Sequence, residues 1–150
     1  MVKNEMSIII KRPIKEVFAF VSDLQNGPQW QPGLLEARRI TKGPLGIGAK
    51  FTGVRKLMGR KMGSIVEFTA YEPNRKVAFK STPGSMPMEA SYLFERTAEG
   101  TRLTSMIELH PGGFMALAEP MIAASLRRET ETHFGNLKDL LESRVTVASS

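Results

Sequence analysis

IIIKRPIKEVFAFVSDLQNGPQW, residues 8–30, carries a strand, a proline break, an amphipathic helix and a turn in immediate succession. Ile8, Ile9 and Ile10 are β-branched and stiff at χ1, which suits a pleated, half-buried surface, so a strand is expected from about Glu5 to Lys11. Pro13 cannot extend that strand but fits the first turn of a helix. Ile14, Val17, Phe18 and Val21 then fall at i, i+3, i+4 and i+7, the stripe of an amphipathic helix of about two and a half turns. Ser22-Asp23 ends it, Asn26-Gly27-Pro28 is a turn, and Gln29 to Pro32 is expected to form a second short helical turn around Trp30.

Outward from this stretch the pattern changes to strands. Leu34 to Ile40 is one, and the glycine-punctuated turn Gly43-Pro44-Leu45-Gly46-Ile47-Gly48 follows. Lys50 to Met58 and Lys61 to Tyr71 read as a hairpin closing near Gly59. Glu72-Pro73-Asn74-Arg75 places Pro and Asn where a turn wants them, before a short strand from Lys76 to Ser81. Thr82-Pro83-Gly84-Ser85 is a loop, and Met88–Arg96 and Thr101–His110 are strands joined at Ala98-Glu99-Gly100. Sequential strands with short turns imply an antiparallel meander. Pro111-Gly112-Gly113 ends the sheet, and a long helix runs from about Phe114 to Ser143, with Pro120 marking a kink or a separate first turn. Helices segregated from an antiparallel sheet make the fold class α+β. We expect one domain over residues 1–143 and a frayed tail over 144–150.

Period-2 alternation sorts the side chains by face. Met88, Ala90, Tyr92 and Phe94 share one face, as do Met62, Ser64, Val66, Phe68 and Ala70. Val77 pairs with Phe79 in the same way, and Leu103, Ser105, Ile107 and Leu109 form a further set. Large and small residues thus alternate on one interior face. That mixture fits either tight interdigitation or a void.

Composition bounds the function. The hydrophobic fraction is 41% and the charged fraction 24%, ordinary for a globular chain. The absence of cysteine excludes disulfides, thiolate metal sites and a cysteine nucleophile. Two distant histidines make no metal site, and no G-x-S-x-G or dinucleotide fingerprint occurs. No apolar run approaches the ~18 residues of a membrane span, and Met1 to Glu5 lacks a signal-peptide core, so a soluble cytoplasmic protein without stable membrane insertion is expected. The net charge is +6, but the cations are spread, with one tight cluster at Arg55-Lys56 and Arg60-Lys61, so nucleic acid is not an expected partner. Nine Met exceed the needs of a core this size, and Met recurs where a surface adapts to varied apolar partners.

Together, IKRPIKEVFAFVSDLQNGPQW, GPLGIGAKF, FTAYEPNRKVAFKS and YLFERTAEGTRLT, in this order and spacing, resemble the polyketide cyclase/dehydrase-like branch of the START-related, birch-allergen-like (SRPBCC) superfamily over roughly Glu5 to Glu142. The resemblance implies a helix-grip fold: seven antiparallel strands gripping a long C-terminal helix, with two short helices after the first strand. It also implies an interior cavity for an apolar small molecule, a lipid, polyketide or quinone for example, with no invariant catalytic residue and no cofactor. On that reading Phe51, Met62, Phe68, Phe79, Met88, Tyr92 and Phe94 line the sheet side, and Trp30 plugs or walls one end. Met115 and Met121, beside the Gly-Gly hinge, stand at the entrance as gate or dimer contact, and the chain is a monomer or homodimer.

The polar candidates lie on the long helix. Ile122, Leu126, Leu137, Leu140 and Leu141 define its apolar stripe, His133 falls within that stripe and Glu129 at its edge. At i, i+4 the carboxylate is expected to orient the imidazole and raise its pKa, as a structural pair at a pocket mouth, as a ligand contact or as an acid–base pair in a cyclase or dehydratase. Arg55 shares a face with Phe51, Gly53 and Leu57; if that face is inward, Arg55 pairs with Glu129 or binds a ligand carboxylate. A third reading makes the basic hairpin, RKLMGRKMG, a contact for a protein partner or an anionic membrane.

Overall fold

The computed structural model describes residues 1–57, 59–81 and 87–144, with the side chains of Leu57, Arg60, Phe114 and Met115 not described. Seven strands form one antiparallel sheet: β1 (Val2–Ile10), β2 (Leu34–Arg39), β3 (Lys50–Leu57), β4 (Arg60–Glu72), β5 (Lys76–Ser81), β6 (Met88–Thr97) and β7 (Gly100–Leu109). Their order in space is β1-β7-β6-β5-β4-β3-β2, so the meander from β2 to β7 is closed at its far edge by the N-terminal strand. Between β1 and β2 come α1 (Ile14–Ser22) and a 3-10 helix over Leu24–Gln29; after β7 come a second 3-10 helix, Gly113–Ala118, and α2 (Glu119–Glu142). This is the α+β helix-grip arrangement.

Local chemistry accounts for the joints. Pro13 caps α1 with an extended backbone, and α1 buries Ile14, Val17, Phe18 and Val21, the expected stripe. The Asp23 side chain accepts from the Gln25 N–H and starts the 3-10 helix, which ends at Trp30, so the short helical turn precedes Trp30 and does not surround it. Pro120 sits in the first turn of α2, where its missing N–H costs nothing, so the C-terminal region is a separate 3-10 turn followed by an unbroken helix. The β6–β7 turn needs Gly100: its φ is +150° and an added Cβ would sit 2.3 Å from the Ile10 carbonyl oxygen.

One face reading needs correction. A bulge between Phe68 and Ala70 shifts the pairing, so Phe68 faces Phe79 and Tyr71 faces Val77, while Ala70 pairs with Ala78. Strict alternation would put Ala70 inward; the extra residue puts Tyr71 there instead, edge-on to Phe18 at 5.5 Å. Met58, the 82–85 loop and the tail beyond Arg144 lie outside the described residues.

The core is lopsided. Phe18, Val17, Val77, Phe94, Leu103, Leu137 and Leu141 close one end of the interior between α1, the sheet and the C-terminal half of α2. The helix is clasped there by polar contacts: Lys138 Nζ donates to the Ile9 carbonyl at 2.6 Å and pairs with Glu142 at 2.7 Å, and the Lys11 N–H donates to Glu142 at 2.9 Å. These bonds hold the Glu142 carboxyl below its usual pKa, the Lys138 hydrogen bond contributing most. Farther along, Ile122 to Leu126 are only half-buried.

Candidate functional site

Three separate chain segments converge on Trp30 and Gln31. Its ring stands edge-on to His133 of α2, with 6.2 Å between centroids and 88° between planes, and lies 6.3 Å from Tyr92 of β6. Asn136 Nδ2 donates to the Trp30 carbonyl at 3.3 Å, tying the helix to this segment. The next residue, Gln31, is buried, and its Oε1 accepts a 2.7 Å hydrogen bond from Nη2 of Arg55 on β3. Arg55 pairs across the hairpin with Met62, and Phe51, farther along the same face toward the core, is fully buried. Its face is therefore the inner one, as one of the two sequence alternatives required.

Arg55 combines two properties that usually exclude each other. Much of its surface is exposed, yet protein crowds its guanidinium enough to lower its pKa by desolvation, with Tyr92 and Glu129 acting the other way. A side chain in a recess that water can still reach satisfies both. The same surroundings act on its neighbours. Burial pushes the Tyr92 hydroxyl up to about 12, the Arg55 cation opposing it. Burial, and secondarily the Arg55 cation, lowers His133 to about 4.

His133 therefore differs from expectation. No hydrogen bond or ion pair joins it to Glu129 among the described residues; its neighbours are the Trp30 ring and a cation, and its pKa falls instead of rising. Glu129 is exposed and acts on Arg55 through space, not as a direct ion pair. His110, just past the end of β7, is exposed and lies 3.9 Å from Glu108.

The remaining sequence candidates divide by depth. Phe51, Phe68, Phe79, Tyr92 and Phe94 belong to the packed core, Phe68 lying 5.3 Å from Phe51 and 6.2 Å from Phe79. Met88 is partly buried against it. Met62 is 49% exposed and Met121 76% exposed, so neither is enclosed; the Met115 side chain lies outside those described. Sequence reasoning missed Gln31, for which no pattern speaks, and undervalued Ser105, a buried hydroxyl on the inner face without a hydrogen-bond partner among the described residues. Ser105 pairs directly with Tyr92 on one side and Met6 on the other. Two clefts, of about 390 Å³ at Lys11–Ile14 with Arg96–Gly100 and about 200 Å³ around Arg39–Ala49, lie apart from this cluster and bring no comparable chemistry together. No helix among the described residues is long and apolar enough to cross a membrane.

The sequence matches, over residues 1–142, the family described as polyketide cyclase / dehydrase and lipid transport. Among solved structures the chain is similar to TTHA0849 from Thermus thermophilus, with a TM-score of 0.77 at 20% identity over 99% of both chains. It is similar to SA2116 from Staphylococcus aureus, a protein of unknown function, with a TM-score of 0.75 at 13% identity over 95% of this chain and 94% of that one. It also resembles the di-domain ARO/CYC StfQ of the steffimycin biosynthetic pathway, with a TM-score of 0.78 at 16% identity, 97% of this chain covering 52% of that one. The chain thus spans about half the length of such a di-domain protein. At these identities the likeness establishes the fold alone. A search of the curated proteins finds no significant match.

Proposed function

This chain belongs to the polyketide cyclase/dehydrase and lipid transport family, and from that premise we propose that its interior holds one small, largely apolar molecule, as a carrier or sensor. The observation that carries the reading is a set of apolar side chains that face inward yet keep accessible surface: Met6, Ile8, Val66, Met88 and Ile107 pack against the core without being closed over. A fully interdigitated interior would bury them. The N-terminal half of α2 above them is half-exposed as well, which leaves that end of the sheet thinly covered.

The polar groups favour binding over acid–base catalysis. A general acid or base works best with a pKa near the operating pH. Here His133 is lowered to about 4 and Tyr92 raised to about 12, so both are neutral and neither titrates near pH 7. Neutral donors and acceptors in a partly dry recess orient a ligand's polar end without exchanging protons with it.

Native mass spectrometry of the protein purified without denaturation tests this. The expected result is a co-purifying adduct of low polarity, or saturable uptake of an apolar probe that changes the fluorescence of Trp30, the single tryptophan. A bare mass together with unchanged Trp30 emission across a panel of fatty acids, quinones and fused-ring aromatics would remove the proposal.

A further inference from the structure

We propose that the molecule held at this mouth carries a carboxylate, and that the Arg55 guanidinium, oriented by Gln31, binds it. The inference rests on the preceding reading of an apolar ligand and specifies the ligand's polar end.

The geometry points to an anion in three ways. First, Arg55 spends one donor on a neutral amide: Nη2 donates to Gln31 Oε1 at 2.7 Å, and Arg55 has no ion pair among the described residues. A guanidinium has five N–H donors in a planar fork that matches a carboxylate, so most of its capacity is unused. Second, its surroundings are neutral aromatic or amide groups: Trp30 and Gln31 follow the 3-10 helix, Tyr92 stands on β6 and His133 on α2. Glu129 is the one carboxylate that acts on Arg55, and it is not in direct contact. A guanidinium with no opposite charge in direct contact among the described residues gains a charge-assisted contact from an incoming anion. Third, the guanidinium remains reachable, since Arg55 is exposed on the inner face of the hairpin beside the half-exposed Met62. Gln31, itself buried, fixes one edge of the fork and leaves the other to a ligand. An amphiphile entering apolar end first would set its body toward Trp30 and Tyr92 and its acid group at Arg55.

The test uses matched pairs that differ only in charge: decanoate against methyl decanoate, and 2-naphthoate against its methyl ester. Each is titrated by calorimetry at pH 7.5 into the full chain, with Trp30 emission as site reporter for the decanoate pair. The acids should bind on the order of tenfold tighter than the esters, a charge-assisted bidentate contact being the difference. Arg55→Met should bring acid and ester to equal affinity while ester binding persists, Arg55→Lys should keep part of the preference, and Glu129→Gln should tighten the acids alone. Equal binding of acid and ester to the native chain overturns the carboxylate and leaves the apolar-ligand reading standing, as does a preference that survives Arg55→Met. Binding of none of the four compounds overturns both. Persistent ester binding by Arg55→Met also shows that this variant is folded.

Discussion

Two buried hydroxyls on one strand separate the two ends of this interior. Thr101, at the start of β7, is fully buried and donates to the Arg12 carbonyl at 2.8 Å. Ser105, four residues on and on the same face, is equally buried and has no partner among the described residues. Around Thr101 the packing is complete: Phe18 meets Phe94 edge-on at 5.0 Å, and Leu103, Leu137 and Leu141 have no accessible surface. Toward Ser105 and beyond, the Trp30 and Tyr92 rings are joined by a cation with a neutral partner, a lowered histidine and half-open apolar side chains. The closed end gains stability from apolar area removed from water. The open end retains groups that the described neighbours satisfy only in part or not at all, the condition in which a protein interior has something left to offer a ligand.

The largest effect should come from breaking the closed end. Phe94→Ala removes a ring packed against Phe18 in a region that cannot collapse around the gap, and the expected loss is roughly 3–5 kcal/mol of unfolding free energy. Urea denaturation measures it, and a loss under about 1 kcal/mol would mean that this end is not closed. At the open end the corresponding handle is pH. His133 has a folded pKa of about 4, below its ordinary 6.5, so both states are neutral at pH 7. As pH falls through 6.5 the unfolded chain takes up a proton that the folded chain refuses, so stability drops between about pH 6.5 and 4 and the loss levels off below. The linkage amounts to on the order of 1–2 kcal/mol by pH 5. Arg55 stays charged and Tyr92 neutral throughout that window. His133→Gln should therefore flatten the wild-type curve between pH 7 and 5, and parallel curves would refute the lowered pKa.

This asymmetry also sorts what the sequence could reveal. The closed end follows from spacing: Val17 and Phe18 at helical period, Leu103 at strand period and Pro13 at the break each state their own environment. The strand ends at Ile10, Leu57 and Leu109 and the two 3-10 turns differ by a residue or a few, because hydrogen-bond geometry decides them. Ala70 was misassigned because a bulge leaves no mark in a polar–apolar alternation. Arg55 was legible only as an alternative, since both faces of β3 mix polar and apolar residues; the burial of Phe51 decides between them. The His133–Glu129 pair shows the limit of helical spacing. Residues at i, i+4 are neighbours on a surface, but a tryptophan from another segment and an arginine from a strand are nearer to what sets the imidazole's pKa. Gln31 carries no pattern at all, because its role exists only once β3 has folded back beside it.

The finest distinction returns to the two hydroxyls. Thr101→Val keeps the shape and deletes the bond to the Arg12 carbonyl, leaving that acceptor unpaired beside buried surface; the expected cost is about 1–2 kcal/mol. Ser105→Ala deletes a hydroxyl without a partner among the described residues, so the desolvation already incurred is recovered and the ligand-free protein should change by no more than about 0.5 kcal/mol, or gain slightly. Both are read from chemical denaturation of ligand-free protein, in which only folded-state contacts count. If Ser105→Ala costs as much as Thr101→Val, the Ser105 hydroxyl has a partner, such as an internal water or a retained small molecule, and the open end is satisfied already. If it costs nothing without ligand but weakens an adduct that the native chain retains, Ser105 is a ligand contact beside Tyr92, and the boundary between the two ends lies between residues 101 and 105 of one strand.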